Sequence, residues 1–235
     1  MSEEVKQLFT NISSTYDCLN HVMSFQVDKN WRKKTISRIH SNPNSPLKAL
    51  DLCAGTLDLS LEFLRQFSTS HVTAVDFSFS MLQNGLHKIP SHQKEQVSII
   101  CADALHLPFA DGSFDLIFCG YGFRNLDNQE AGLQEMKRVL KPGGQVLILD
   151  FFRPEGFLSR LFHFTYGRFL IPLIGGLISK SRKAYQYLHD SISNFYSLNE
   201  CRDLFLAQGF LVIESRHFMR GISSLIVATK DGRQS

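Results

Sequence analysis

The stretch Leu47-Lys-Ala-Leu-Asp-Leu-Cys-Ala-Gly-Thr-Leu-Asp58 decides the fold. Up to Cys53 it reads as a strand, and from Asp58 to Phe67 as a helix with Leu59, Leu61, Phe63 and Leu64 on its buried side. The same alternation continues outward. A short strand from His71 to Asp76 precedes a helix around Met81 to Lys88, and a β-rich run covers Val97 to Ala102. A strand from Phe114 to Cys119, a helix from about Gln129 to Leu140 and a strand from Gln145 to Asp150 follow. Runs apolar on both faces and separated by helices predict a parallel sheet covered on both sides. Asn42-Pro-Asn-Ser-Pro46 ends the N-terminal helices before the first strand, and Lys141-Pro-Gly-Gly144 turns one helix into the next strand. Beyond Asp150 the alternation stops. Residues 151–197 read as helices and loops of a different composition, Leu198 to Gln208 as a helix, and Phe210 to Ser215 with Ser224 to Ala228 as a closing hairpin.

The chain has 235 residues, 43% of them apolar and 20% charged, which excludes wholesale disorder and a highly charged nucleic-acid-binding tail. Its net charge of +3 is too small to name a partner. Five cysteines form no C-x-x-C pair and their odd number cannot close a full disulfide set. Cys53, Cys101 and Cys119 lie in apolar runs, so small core residues in a reducing cytosol are expected. The N-terminus starts acidic, with no apolar stretch behind a basic one, and the expectation is a cytoplasmic protein. The most apolar segment, Phe169 to Ser179, contains Pro172 and Gly175-Gly176 and falls short of the ~20 residues that a bilayer-crossing helix needs.

In open α/β sheets ligands bind at the carboxyl ends of the strands. Here those ends lead to Asp51-Leu-Cys-Ala-Gly-Thr-Leu-Asp58, Asp76, Asp103-Ala104 and Gly120-Tyr-Gly122. Gly55 permits close approach to a ligand, and Thr56 adds a hydroxyl at the start of the helix. Asp76 lies 25 residues after Asp51, near the ~20-residue spacing at which an acid reaches ribose hydroxyls. Asp103 can accept from an adenine amino group, and Asp51 can offset an ammonium. At any one position the acid can instead cap the following helix. Only Gly55 is glycine within the loop, so the G-x-G-x-x-G of a dinucleotide site is missing. Acidic groups without a phosphate cradle favour S-adenosylmethionine, which carries adenosine, a sulfonium and an amino acid.

Four ordered motifs then carry a resemblance. They are Tyr16-Asp-Cys-Leu-Asn-His-Val-Met-Ser24 with Trp31; Gly122-Phe-Arg-Asn125; Arg138-Val-Leu-Lys-Pro-Gly-Gly144 continuing to Asp150-Phe-Phe-Arg-Pro154; and Tyr185-Gln-Tyr-Leu-His-Asp-Ser-Ile192. Over residues 7 to 230 the chain resembles the ubiquinone/menaquinone biosynthesis C-methyltransferases, within the class I S-adenosylmethionine-dependent methyltransferases. The resemblance implies a Rossmann-like, seven-stranded, mostly parallel α/β sheet with an antiparallel last strand, and methylation of a ring carbon of a prenylated hydroquinone. Its cofactor positions fall on Thr56, Asp76, Asp103 and Ala104. The chain departs from the family at Leu57, usually glycine; at Gly120, usually serine; at Leu19 and Asp28, usually methionine and histidine; and at Arg220-Gly221, usually small residues.

A ring carbon becomes nucleophilic when an adjacent phenol loses its proton, so something must stabilise the oxyanion. Arg124 is the first candidate, because its fixed positive fork can hold a phenolate, and Asn125 can orient either ligand. The alternative for Arg124 is a structural ion pair with Asp127 or a helix terminus. His21, Tyr16, Tyr185 and His189 are secondary base candidates, each equally open to a packing role. The nine histidines form no metal constellation, and none is required. Between Phe151 and Asp190 six basic residues face two acidic ones, a balance of +4 that exceeds the whole chain's +3, among many of its twenty Phe. Basic residues interleaved with apolar ones predict a peripheral contact at the inner face of the membrane, where a prenylated quinol enters. The same residues can instead pack over the sheet. Trp31-Arg-Lys-Lys34 offers a second basic contact, or a solvated helix face.

The expected organisation is a single domain: an N-terminal helical cover (1–46), a cofactor-binding core (47–150), an acceptor lid (151–197), and a closing helix and hairpin (198–230). The competing readings are a non-catalytic binding subunit of a quinone-synthesis assembly, suggested by Leu57 and Gly120, and a methyltransferase acting on a soluble small molecule. The sequence names no protein partner.

Overall fold

Strand β1 (Lys48–Leu52) lies between β2 (His71–Asp76) and β4 (Phe114–Gly120), parallel to both. The computed structural model describes residues 26–156 and 182–232, together with Gln7 and Thr10. With β3 (Val97–Cys101), β5 (Leu140–Asp150), β6 (Phe210–Phe218) and β7 (Ser223–Lys230) the sheet has the order β3-β2-β1-β4-β5-β7-β6. β7 inserts antiparallel between β5 and β6, as expected of the closing hairpin. The order reverses between β1 and β4, which opens a crevice beyond their carboxyl ends.

Burial of both faces follows from the two-residue period of a strand. Leu50, Leu52, Ile117, Cys119, Val146 and Ile148 enter one core, while Ala49, Leu116, Phe118, Leu147 and Leu149 enter the other. Helices α1 (Val27–Ile36) and α2 (Asp58–Gln66) cover the second core with Trp31, Ile36, Phe63 and Leu64. Helix α3 (Phe79–Leu86) sets Leu82 against Ala74 of β2. Helix α4 (Gln129–Val139) brings Met136 to the first core. Helix α5 (Arg182–Ser193) precedes α6 (Leu198–Ala207), which adds Cys201 and Phe205 to the first core.

Three expectations are corrected here. The strand expected from Gln145 begins at Leu140, because Lys141-Pro-Gly-Gly144 forms an irregularity within β5: Leu140 pairs with Phe114 and Gln145 with Leu116. Gly144 is required there, since a Cβ would stand 2.9 Å from the Asp115 carbonyl oxygen. Cys101 is exposed rather than buried, because it ends the edge strand β3. Trp31 and Arg32 are buried, so only Lys33 and Lys34 of the basic run face outward.

Arg32 joins α1 to α2. It pairs with the buried Asp28 one turn earlier and lies 3.1 Å from Asp58 Oδ2, while Lys88 Nζ lies 2.5 Å from Asp58 Oδ1. Burial disfavours the guanidinium charge, but Asp58 and Asp28 outweigh it and raise the Arg32 pKa. Asp28 thus holds a buried cation where the resembling family commonly has histidine. Arg32→Ala removes the buried ion pairs with Asp28 and Asp58, and urea titration is expected to show a loss of about 3–5 kcal/mol. A loss below about 1 kcal/mol would assign the group to the class of weak surface pairs.

Candidate active site

The chain leaves β1 through a turn with three left-handed residues, Cys53 (φ 55°), Gly55 (φ 51°) and Leu57 (φ 65°). This conformation is easy for glycine and strained for the other two. Asp76, at the end of β2, holds the turn: its Oδ2 accepts from the Gly55 backbone N–H at 2.9 Å and its Oδ1 from the Ser78 N–H at 2.8 Å. Burial raises the Asp76 pKa against the lowering effect of these bonds. The carboxylate is only partly buried and borders the crevice end of the sheet. Asp76 therefore caps the next segment, the alternative open in the sequence. Thr10 Oγ1 lies 3.0 Å from Ser78 Oγ, so Thr10 meets this end of the sheet.

Asp51, one residue before the end of β1, is 1% exposed. Its Oδ2 accepts from Ser60 Oγ at 2.6 Å, while Oδ1 is buried with no hydrogen-bond partner. This bond explains why Ser60 is buried on α2 and the expected Leu61 only partly so. Burial pushes the Asp51 pKa up to about 7. A buried, orphaned carboxylate oxygen calls for a cationic donor, and the amino-acid ammonium of S-adenosylmethionine supplies one. The donor set at the strand ends thus fits that cofactor. Asp103 is partly exposed, its Oδ1 accepting from the Leu105 N–H at 3.1 Å and its Oδ2 3.7 Å from His106 Nδ1; Ala104 and Thr56 are buried beside the crevice strands.

The departure at Leu57 is absorbed away from the crevice. Its side chain is fully buried against Leu82, Ala74 and Ile89. Gly85 makes the room, since a Cβ on it would stand 2.4 Å from Leu57 Cγ and 2.7 Å from the Thr56 carbonyl carbon. Gly120 likewise accommodates Leu59, whose Cδ2 would stand 3.1 Å from a Cβ there. Gly122 is tighter still, with Cys53 Cβ 2.3 Å from where its own would be.

Arg124 and Asn125 lie on a 3-10 turn, Phe123–Asn125, beyond β4. Arg124 is not an uncompensated cation awaiting a phenolate. Its Nη1 donates to Asp150 Oδ1 at 2.6 Å and to the Tyr121 carbonyl at 2.5 Å, and its backbone N–H to Asp150 Oδ2 at 3.1 Å. Asp150, fully buried at the end of β5, is the counter-ion shown, and the sequence reading did not single it out. Helix α5 adds two further residues, to which the sequence reading gave no site role although both lie in the motif Tyr185–Ile192. Tyr187 Oη donates to Asn125 Oδ1 at 3.0 Å, and Arg124 Nε lies 3.4 Å from Ser191 Oγ. The signal available was their four-residue spacing, which puts both on one helix face. His189 Nδ1 lies 3.1 Å from Asp190 Oδ1. Tyr16, His21 and the side chain of Tyr185 fall outside the described residues, as do residues 157–181 of the basic segment.

Two outcomes are expected of this geometry. With its folded pKa near 7, above the ordinary 3.8, Asp51 keeps a proton that the unfolded chain has released; stability therefore falls as pH rises from about 4 to about 7. A bound ammonium favours the ionised form, so calorimetry should show S-adenosylmethionine affinity rising with pH up to about 7 with proton release, and Asp51→Asn flattening both trends. Leu57→Gly should cost about 1–3 kcal/mol, a cavity partly offset by relief of the left-handed strain. It should leave cofactor affinity unchanged, and a tenfold change would show that Leu57 shapes the pocket.

Comparison with known proteins agrees with this architecture. The profile of the ubiE/COQ5 methyltransferase family matches residues 1–230. The demethylmenaquinone methyltransferase of Staphylococcus aureus is 36% identical over 230 residues, 97% of this chain and 94% of that protein. A SAM dependent methyltransferase from Aquifex aeolicus superposes with a TM-score of 0.61 at 18% identity, covering 84% of this chain and 88% of the other. The [4+2]-cyclase SpnF superposes at 0.73 with 13% identity, covering 98% and 96%. A fold shared with a cyclase does not by itself define a reaction. The near-full-length match and the family profile do more: the chain belongs to the ubiE/COQ5 methyltransferase family.

Proposed function

We propose that this chain methylates a ring carbon of a prenylated hydroquinone, demethylmenaquinol, with S-adenosylmethionine. The observation that carries the reading is the orphaned, buried Asp51 Oδ1 at the strand ends, in a chain 36% identical to a demethylmenaquinone methyltransferase. Asp51 receives the ammonium, Asp76 the ribose hydroxyls, and Asp103 with Ala104 the adenine edge. Gly55 and Thr56 permit the close approach. When bound, the cofactor supplies an electrophilic methyl group on a sulfonium. The residues beyond β4 and on α5 hold the acceptor ring in line with that methyl, and alignment of this kind supplies much of the rate. Asn125 and the Arg124 pair face the ring oxygen, whose negative charge develops as the phenol proton passes to water; after methyl transfer the hydrogen on the methylated carbon leaves as a proton to water and the ring regains aromaticity.

The division into an N-terminal cover (1–46), core (47–150), acceptor lid (151–197) and closing unit (198–230) belongs to the same reading. The lid's local charge of +4 and its Phe residues support peripheral attachment to an anionic membrane leaflet, where a prenylated acceptor resides. Among the described residues no helix is long and apolar enough to cross a membrane. The burial of Leu57 against Gly85 removes the ground for a non-catalytic reading that rested on that residue.

Purified protein supplied with methyl-labelled S-adenosylmethionine and both demethylated quinols is expected to label the naphthoquinol. Label in neither would sink the reading, and label only in the benzoquinol would move the acceptor. Asp76→Ala should weaken cofactor binding first. An acceptor without its prenyl tail should turn over more slowly, and equal turnover would favour a soluble acceptor.

A further inference from the structure

The Arg124 side chain is 4% exposed and shares its charge with the wholly buried Asp150 at 2.6 Å. A neutralised pair offers a developing oxyanion less than an isolated cation would. The next donor along the turn is the Asn125 amide, itself largely buried. An amide can serve an oxyanion only with its nitrogen end, and which end faces the crevice is decided by its neighbours. Two neighbours of Asn125 act together. The Tyr121 carbonyl, 3.5 Å from Nδ2, can only accept and so selects the nitrogen end; the Tyr187 hydroxyl, able to donate or accept, is then left to donate to Oδ1 at 3.0 Å and holds the amide in that orientation. Burial raises the Tyr187 pKa, against the opposing pull of Arg124, so this hydroxyl keeps its proton at neutral pH.

We propose that Tyr187 is a positioning residue for methyl transfer: its hydroxyl fixes the Asn125 amide with Nδ2 toward the oxygen of the acceptor ring. This rests on the acceptor-end reading given above. The contact also gives α5 a direct role, because Tyr187 and Ser191, four residues apart, bring one helix face onto the turn that holds Arg124 and Asn125. Arg124→Ala is a poor probe of the same chemistry, since it strands the buried Asp150. Tyr187→Phe removes one oxygen and keeps the ring that packs there.

The test compares wild type, Tyr187→Phe, Asn125→Ala and the double variant in turnover, acceptor KM, S-adenosylmethionine Kd and melting temperature. Asn125→Ala is expected to lower kcat about 100-fold and Tyr187→Phe about tenfold, with cofactor Kd and melting temperature unchanged. In the Asn125→Ala background Tyr187→Phe should cost nothing more. Equal losses in both backgrounds, unchanged kcat, or a loss that follows melting temperature would overturn the proposal. A second readout is independent of the natural acceptor: the absorbance titration of 1-naphthol added to each protein. Wild type should lower the apparent naphthol pKa, and Tyr187→Phe should cancel about one unit of that shift. If wild type labels neither quinol while this difference persists, the acceptor assignment fails and the positioning role stands. If the naphthol titrates alike in both proteins, the positioning role fails.

Discussion

The cofactor end of the molecule depends on one constraint: the chain must turn from β1 into α2 through three left-handed residues, and Asp76 must hold that turn from the neighbouring strand. Only Gly55 adopts such a backbone freely, so the strain at Cys53 and Leu57 has to be offset by packing. Leu57 offsets it by filling the space left by Gly85 on α3, and Cys53 by lying against Gly122 beyond β4. Glycines on other elements are thereby tied to the turn, since a side chain on either would displace it. The Gly55 N–H bond to Asp76 then sets the turn relative to β2, and the Ser60 bond to Asp51 sets it relative to α2. One carboxylate oxygen, Asp51 Oδ1, is left unsatisfied.

The acceptor end is organised differently. Its basis is the buried pair of Arg124 and Asp150, which connects the ends of β4 and β5. Because Asp150 also takes the backbone N–H groups of Arg124 and Phe151, it fixes the turn as well as the side chain. Helix α5, from the region between β5 and α6, reaches this fixed turn with Tyr187 and Ser191. The two ends meet through Tyr121 and Gly122: the carbonyl of Tyr121 serves both Arg124 and Asn125, while Gly122 lies under Cys53. A neutral amide beside a compensated ion pair can serve a charge that exists only during reaction, without holding an unpaired charge in the resting protein.

Much of this was legible in the sequence because it rests on local pattern. Apolar runs of strand length separated by helical spacing mark each strand, although β5 begins at Leu140 and not at Gln145. The rule that ligands meet strand ends points to Asp51, Asp76 and Asp103 from their spacing alone. The exceptions have physical causes. Cys101 lies in an apolar run yet is exposed, because edge position is a property of strand order. Leu140 to Gly144 belong to β5 despite Pro142 and two glycines, since the neighbouring β4 supplies the pairing. Trp31 and Arg32 read as part of a basic surface but are buried, because carboxylates from two helices surround the guanidinium.

By itself the sequence determined the alternation of strands and helices, the acidic strand ends, and the family, since these depend on residue type and spacing along the chain. The tertiary structure alone decided which charges are already spent. Arg124 and Asp150 are 26 residues apart, and Tyr187 and Asn125 are 62 apart. No local periodicity links such positions, and only packing of α5 and β5 on one turn shows that the cation is compensated while an amide is oriented beside it. The same holds for Leu57: as a residue type it argued against a cofactor loop, and only the glycine opposite, on another helix, turned it away from the site.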